Sequence, residues 1–325
     1  MQLQIYQQSW PIDGVFAISR GSRTEAKVIL VELSEGGFTG RGECVPYARY
    51  NETLDSVTTQ INNLTSALDN ELTRDELANL LQPGAARNAL DCALWDLECK
   101  RRGQSIWSIL GITPKPLTTA YTLSLDTPEN MQQKVIQHRE RPLFKLKLAG
   151  QGDLERVSAV RQGAPNARII VDANEGWDEH IYRQIVPELV KLNVEMIEQP
   201  LPAKDDYILE KLEHPIPLCA DESCHVSSDL PRLIGRYEMI NIKVDKAGGL
   251  TEALILKEKA QQVGLDIMVG CMLGTSLSMA PAFVAAQSAK VVDLDGPLLL
   301  SEDRPNGFKF SKQSEMQLLK PQLWG

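Results

Sequence analysis

From Pro116 onward the chain repeats one unit, a short apolar run that reads as a strand followed by a polar stretch able to form a helix. The runs are Ala120 to Leu125, Phe144 to Leu148, Arg168 to Asn174, Val194 to Pro200, Pro217 to Glu222, Met239 to Asp245, Asp266 to Met272 and Val291 to Asp295. Strands alternating with helices make βαβ units and a parallel sheet. Eight strands are the number that closes a (β/α)8-type barrel, and the span fits the short end of that fold's range. The competing open, doubly wound sheet puts a G-x-G-x-x-G turn between a strand and a helix. Neither Gly36-Gly37 nor Gly248-Gly249 fits that pattern, so the barrel is favoured.

Before Pro116 the pattern differs. Segments around Met1 to Gln8, Glu25 to Leu33 and Phe38 to Glu43, the last two joined by Glu35-Gly36-Gly37, read as antiparallel strands. Between Gly84 and Gly103, Ala86, Leu90, Ala93, Leu94 and Leu97 recur at helical spacing, and Arg87 and Asp91 are an i,i+4 pair. The expected division is an α+β capping domain over 1–115, a barrel over 116–300, and a segment over 301–325 that returns to the cap.

Side chains alternate faces along a strand, so in Phe144-Lys145-Leu146-Lys147-Leu148 both lysines point into the barrel. Buried ammonium groups need counter-charge. The next three strands end in Asp172, Glu198 and Asp221, and the sixth ends in a further cation, Lys243. The series from Lys147 advances by 25, 26, 23 and 22 residues, one βα unit per step. All five are expected at one height, the carboxyl end of the strands, where barrel enzymes build their sites. An isolated strand-end charge is more simply a solvated one, but five in this order are not surface decoration. Three converging carboxylates call for a cation, and hard oxygen donors suit Mg²⁺, with Mn²⁺ able to substitute.

Strands two and six face each other across a ring of eight, so Lys147 and Lys243 flank whatever the ion holds. A carboxylate substrate would present its α-carbon between them. One lysine would take the proton from one face and the other return it to the opposite face, through an ene-diolate that needs strong local positive charge. Bringing a lysine pKa from about 10.4 to about 7 takes roughly 4–5 kcal/mol, which the ion, neighbouring Lys145 and partial burial are expected to supply. On the eighth strand Asp293 and Asp295 share a face, well placed to hold a protonated amine at the far end of the substrate.

Composition narrows the alternatives. With 34 Lys+Arg against 43 Asp+Glu, the net charge of −9 argues against nucleic acid as a partner. No run of about 18 apolar residues suits a membrane span, and the start lacks a basic stretch followed by an apolar one, so a cytoplasmic protein is expected. Six cysteines without C-x-x-C spacing read as reduced packing residues, Cys219, Cys224 and Cys271 near the site included. Four histidines without H-x-H or H-E-x-x-H disfavour a zinc hydrolase.

Taken together, Lys145-Leu146-Lys147, Val171-Asp172-Ala173-Asn174, Glu198-Gln199-Pro200, Ala220-Asp221-Glu222-Ser223 and Ile242-Lys243-Val244-Asp245-Lys246 resemble the enolase superfamily, muconate-lactonizing subgroup. Asp293-Leu294-Asp295-Gly296 and Gly270-Cys271-Met272 are similar to the bacterial L-Ala-D/L-Glu dipeptide epimerases within it. A lysine base paired with Mg²⁺ is an established property of that superfamily. The resemblance implies a modified (β/α)7β TIM barrel with an N-terminal α+β cap, Asp172, Glu198 and Asp221 as metal ligands, and Lys147 and Lys243 as acid and base. It further implies substrate contacts from Asp293, Asp295, Lys145, Cys271, Met272 and Thr122. In the flexible capping loop Ser19-Arg20-Gly21-Ser22-Arg23, it implies that Arg23 meets an acidic side chain. The expected activity is epimerisation of a dipeptide's C-terminal residue, in a protein that recycles cell-wall peptides and can form a homo-oligomer. Competing expectations are another enzyme of the subgroup, such as an o-succinylbenzoate synthase or a muconate cycloisomerase, and a ligand-binding barrel without turnover.

Overall fold

The computed structural model describes residues 1–69 and 72–325. It begins with an antiparallel sheet, β1 (Gln2–Ile18), β2 (Gly21–Glu35) and β3 (Phe38–Cys44), in that spatial order. β1 runs far past the expected Gln8. Pro11 and Gly14 break the alternation that marks a strand, and the structure absorbs them as a register shift between Pro11 and Phe16 on an edge strand.

Helix α1 (Ala85–Arg102) lies against β3, and its apolar face joins Ile29, Val31 and Leu33 in the cap's core. The approach is so close that a Cβ at Gly40 would sit 2.2 Å from the Ala93 carbonyl oxygen, and one at Gly42 2.0 Å from that of Ala89. Arg87 and Asp91, spaced as a surface pair, both turn to the barrel instead. Arg87 donates to the carbonyls of Ala247 (2.6 Å) and Gly248 (3.1 Å), and Asp91 accepts from the Thr251 backbone N–H at 3.0 Å. Because the helix docks on the barrel, groups that would pair along its surface find partners across the seam.

The barrel is an eight-stranded parallel sheet with its strands in sequence order. They are Tyr121–Leu123, Leu143–Lys147, Arg168–Asp172, Val194–Glu198, Leu218–Ala220, Met239–Ile242, Asp266–Gly270 and Val291–Asp293. The Ala120 N–H donates to the Val292 carbonyl at 2.8 Å, so the first and eighth strands come together and the ring nearly closes. The strands stop short of the predicted runs because their carboxyl ends leave the ladder to form the mouth, with left-handed backbone at Asn174, Glu175 and Gln199. Between the fourth and fifth strands the expected helix is reduced to a 3-10 turn, Asp206–Lys211, and between the fifth and sixth to short turns ending in Leu230–Leu233. Pro202, Pro215, Pro217 and Pro231 limit regular helix in those stretches.

The final residues pack back on the rest. Glu315–Met316 pairs with Leu117–Thr118, and the Trp324 indole N–H donates to the Cys92 carbonyl of α1 at 3.0 Å. No helix among the described residues is long and apolar enough to cross a membrane.

Candidate active site

One residue from each barrel strand or its immediate approach forms an apolar floor: Ala120, Leu143, Ile170, Met196, Cys219, Met239, Met268 and Val291. Strand alternation puts the next inward residue two positions on. That layer reads Thr122, Lys145, Asp172, Glu198, Asp221, Asn241, Gly270 and Asp293, polar at every strand but the seventh. Lys147 and Lys243 stand two residues further along their strands. The five charged residues expected at one height therefore occupy two levels, with the acids below and the two lysines nearer the mouth.

The acids and lysines are tightly interlocked. Lys147 Nζ lies 2.6 Å from Asp172 Oδ2, and Lys243 Nζ lies 2.7 Å from Asp221 Oδ2. Lys145, fully enclosed, lies 2.7 Å from Glu198 Oε2, 2.7 Å from Asp293 Oδ2 and 3.2 Å from Asp172 Oδ2. Burial opposes the charged form of Asp172, yet Lys147 and Lys145 outweigh it and bring its pKa down to about 2. Asp221 behaves alike, with Lys243 and Lys246 overcoming burial and holding it well below the usual carboxylate range. Glu198 goes the other way, because burial and the Asp172 charge exceed what Lys145 returns.

At Lys243 the surrounding carboxylates act against the downward tuning expected of a base. Burial disfavours the Lys243 ammonium, but Asp221 and Glu198 together hold its pKa well above the ordinary lysine value, and the opposing push from Lys145 is smaller. The carboxylates that cause the rise are the expected metal ligands, so a cation neutralising them would remove its cause.

Asp293 and Asp295 meet at Thr122. The Thr122 backbone N–H donates to Asp295 Oδ2 at 2.6 Å, and its hydroxyl lies 3.5 Å from Asp293 Oδ1. The strand ends at Asp293, and Asp295 opens a 3-10 turn, Gly296–Leu299. Burial, followed by the Asp293 charge, pushes the Asp295 pKa up to about 7. Lys145 serves Asp293 directly but only weakly offsets Asp295.

A small cavity of about 60 Å³ opens above the acids, lined by Lys147, Asp221 and Lys243, by Cys271 and Met272 from the seventh strand's end, and by Arg23 from the cap. Thr122, Lys145, Asp293 and Asp295 form a separate cluster that does not line it. Burial pushes the thiols of Cys219 and Cys271 far up and that of Cys224 to about 12, in keeping with packing rather than nucleophilic roles.

Sequence reasoning passed over several lining residues: Arg20, Tyr47, Tyr50, Asn174 and Glu222. The expected capping loop is the tip of the β1–β2 hairpin. There Arg20, rather than Arg23, reaches the barrel, at 2.7 Å from Glu222 Oε1, 2.8 Å from the Asn174 carbonyl and 3.1 Å from the Tyr47 hydroxyl. Arg23 lies over the Tyr47 ring at 5.8 Å. Asn174 and Glu222 lie inside the quoted motifs, so a signal for them existed; Tyr47 and Tyr50 lie in none of them.

The donor set suits a divalent cation. It consists of three buried carboxylates, all hard oxygen ligands. Glu198 Oε2 is enclosed and receives no well-directed hydrogen bond, since Lys145 approaches within contact distance but off the bond direction. As they stand, no three acidic groups among the described residues converge closely enough to enclose an ion, because ammonium groups sit against the oxygens that would face it.

Comparison with known proteins agrees with this architecture. Residues 1–111 match the family description "Mandelate racemase / muconate lactonizing enzyme, N-terminal domain", and residues 129–303 match "Enolase C-terminal domain-like". The chain is 46% identical to the L-Ala-D/L-Glu epimerase of Escherichia coli K12, over 95% of this chain and 97% of that one. It is 48% identical to an N-acetyl-D-glutamate racemase of a Pseudoalteromonas species, over 92% and 95%. A crystal structure from Agrobacterium tumefaciens, described as an enolase family member with homology to dipeptide epimerases with bound sodium and L-Ala-L-Glu, superposes with a TM-score of 0.97 at 49% identity, covering 99% of each chain. A dipeptide epimerase from Cytophaga hutchinsonii complexed with Mg and D-Ala-L-Val gives a TM-score of 0.90 at 26% identity, over 97% and 92%. Such relatives are epimerases and racemases, and this chain is likewise an isomerase. With a cap, a parallel barrel and family matches to both, the chain belongs to the mandelate racemase/muconate lactonizing enzyme family of the enolase superfamily.

Proposed function

We propose that the protein is a Mg²⁺-dependent dipeptide epimerase that inverts the α-carbon of the C-terminal residue, with L-Ala-D/L-Glu as its substrate. The observation that carries this reading is the pair Lys147 and Lys243, which line one cavity from opposite barrel strands beside Asp221. A neutral lysine Nζ accepts the α-proton, the C–H electron pair moves into the substrate carboxylate as an ene-diolate, and the ammonium of the other lysine returns a proton to the opposite face. Asp172, Glu198 and Asp221 would hold the ion; when bound, it supplies the fixed positive charge that makes the second negative charge on the carboxylate tolerable. Mn²⁺ has the same preference for oxygen ligands and could replace it.

Asp293 and Asp295 support a dipeptide over a simple acid. Two buried carboxylates share little positive charge, and the substrate's ammonium group would provide it. Thr122 fixes that pair, Lys145 donates to Asp293 Oδ2 at 2.7 Å, and Cys271 and Met272 close the wall between the two ends. Arg20 and Arg23 are the cations available at the lid for an acidic side chain. On this reading residues 1–115 cap the site, 116–300 carry the chemistry and 301–325 return to the cap. The cellular role is recovery of cell-wall peptides in the cytoplasm, and a homo-oligomer is compatible with it.

A second reading, racemisation of N-acetylglutamate, is favoured by the 48% identity to such a racemase. Both substrates are N-acylated glutamates, and only the dipeptide carries an ammonium group. Incubating an acidic-dipeptide library and N-acetylglutamate with the protein, Mg²⁺ and D₂O decides between them. Deuterium at the α-carbon of Ala-Glu is the expected result. Label in N-acetylglutamate alone selects the second reading, and no label in either removes both.

A further inference from the structure

The three carboxylates share a division of labour between their oxygens. Asp172 Oδ1 accepts from the Asn174 backbone N–H at 2.9 Å, while Oδ2 faces Lys147. Glu198 Oε1 accepts from the Asn241 side-chain amide at 2.8 Å, while Oε2 faces Lys145. Asp221 Oδ1 lies 2.6 Å from Lys246 Nζ, while Oδ2 faces Lys243. In each case one oxygen is tied to a partner that has no part in proton transfer, and the other faces one of the three lysines at the barrel's centre.

Lys246 is the most constrained of these partners. It is 2% exposed, and its ammonium is caged by Asp221 Oδ1 and by the backbone carbonyls of Asp221 (2.5 Å), Cys224 (2.8 Å) and Asn241 (3.1 Å). A buried ammonium is tolerated only with its hydrogen bonds made, so this one is fixed. It belongs to the helical turn directly after Lys243 (Val244–Ala247), and Asn241 precedes Lys243 by two residues. The segment that delivers a base thus also grips two of the three acids.

We propose that Lys246 and Asn241 are positioning residues that reserve one oxygen of Asp221 and of Glu198, leaving each acid a single oxygen for the cation and so selecting Mg²⁺ over Ca²⁺. Mg²⁺ demands a compact octahedron, which suits one-oxygen carboxylate ligands. Ca²⁺ takes more oxygens and accepts carboxylates that present both. Freeing the second oxygen favours the larger ion. This inference rests on the metal reading proposed above.

The test is the ratio of Ca²⁺ to Mg²⁺ dissociation constants, measured by titration calorimetry without substrate on wild type, Lys246→Met and Asn241→Leu. Both ions carry the same charge, so losing the Lys246 charge largely cancels in the ratio. Wild type is expected to prefer Mg²⁺, and each variant to lose roughly tenfold of that preference, the usual reach of groups that orient metal ligands. A purely structural role would lower the melting temperature and leave the ratio alone. A folded Lys246→Met with the wild-type ratio overturns the proposal; should that variant not fold, the same result in Asn241→Leu does so. Wild type that binds neither ion would instead overturn the metal reading itself.

Discussion

Two groups of buried acids in this molecule differ in whether two lysines stand within reach; Glu198, with Lys145 alone, falls between them, and its pKa still rises. Asp172 and Asp221 each have two, and their pKa values fall despite complete burial. Asp295, on the far side of the same barrel, and Asp245, on the cap–barrel seam, have none in contact, and burial raises both to about 7. Asp245 Oδ1 is held by neutral donors instead, the Val45 N–H and the Asn88 amide, each at 2.9 Å. Depth does not separate the groups. The first is already compensated and can exchange one cation for another, whereas Asp295 lacks a cation that a substrate could bring.

The largest effect expected from breaking this pattern is loss of a lysine. Lys147→Ala and Lys243→Ala should each lower epimerisation of Ala-Glu by about 10³-fold, the range of general acid–base catalysis. The surviving lysine should still exchange the α-proton of one epimer in D₂O; equal residual exchange of both epimers would contradict a two-faced mechanism.

Next in size is the acid pair without a cation. The double variant Asp293→Asn with Asp295→Asn should lower kcat/KM for Ala-Glu by roughly 10²-fold, the loss of charge-assisted hydrogen bonds to an ammonium. N-acetylglutamate, if turned over, should be affected far less, and a parallel loss on both substrates would show that the pair acts on something other than the ammonium.

The raised pKa of Asp295 gives a pH signature. Ammonium binding needs the ionised form, so kcat/KM for Ala-Glu should fall below about pH 7, by up to tenfold per unit. The groups facing Asp295 are Asp293, Thr122, Lys145, Cys271 and Tyr121. A pH–rate profile of Asp295→Asn should lose that acid limb; an unchanged limb would assign it to another group.

The smallest effect concerns stability. The folded pKa of Asp245 is about 7 against 3.8 unfolded, so between these values the folded state binds the proton more tightly. Its contribution is therefore most favourable below about pH 4 and declines as pH rises toward 7. Denaturant unfolding of wild type and Asp245→Asn at pH 5 and pH 8 should reveal a wild-type decline in unfolding free energy larger by roughly 2–3 kcal/mol.

The sequence alone determined the barrel, its strand order and the identity of the acids and lysines inside it, because period-two alternation and a recurring βα interval are local properties that survive in one dimension. It also determined α1 and the three cap strands, apart from the extension of β1 past Gln8 and the earlier start of β2 at Gly21. The tertiary structure decided what depends on neighbours from distant segments: which oxygen of each carboxylate meets which ammonium, the two-level arrangement that sets Lys147 and Lys243 above the acids, and which of the two lid arginines hydrogen-bonds to the barrel, Arg20, while Arg23 lines the same mouth over Tyr47. It also set the direction of every pKa, since burial and charge act through space and a residue's sequence position does not reveal which charges surround it. Lys246 shows the limit best, a motif residue whose partners, Asp221, Cys224 and Asn241, come together only when adjacent strand ends close around it.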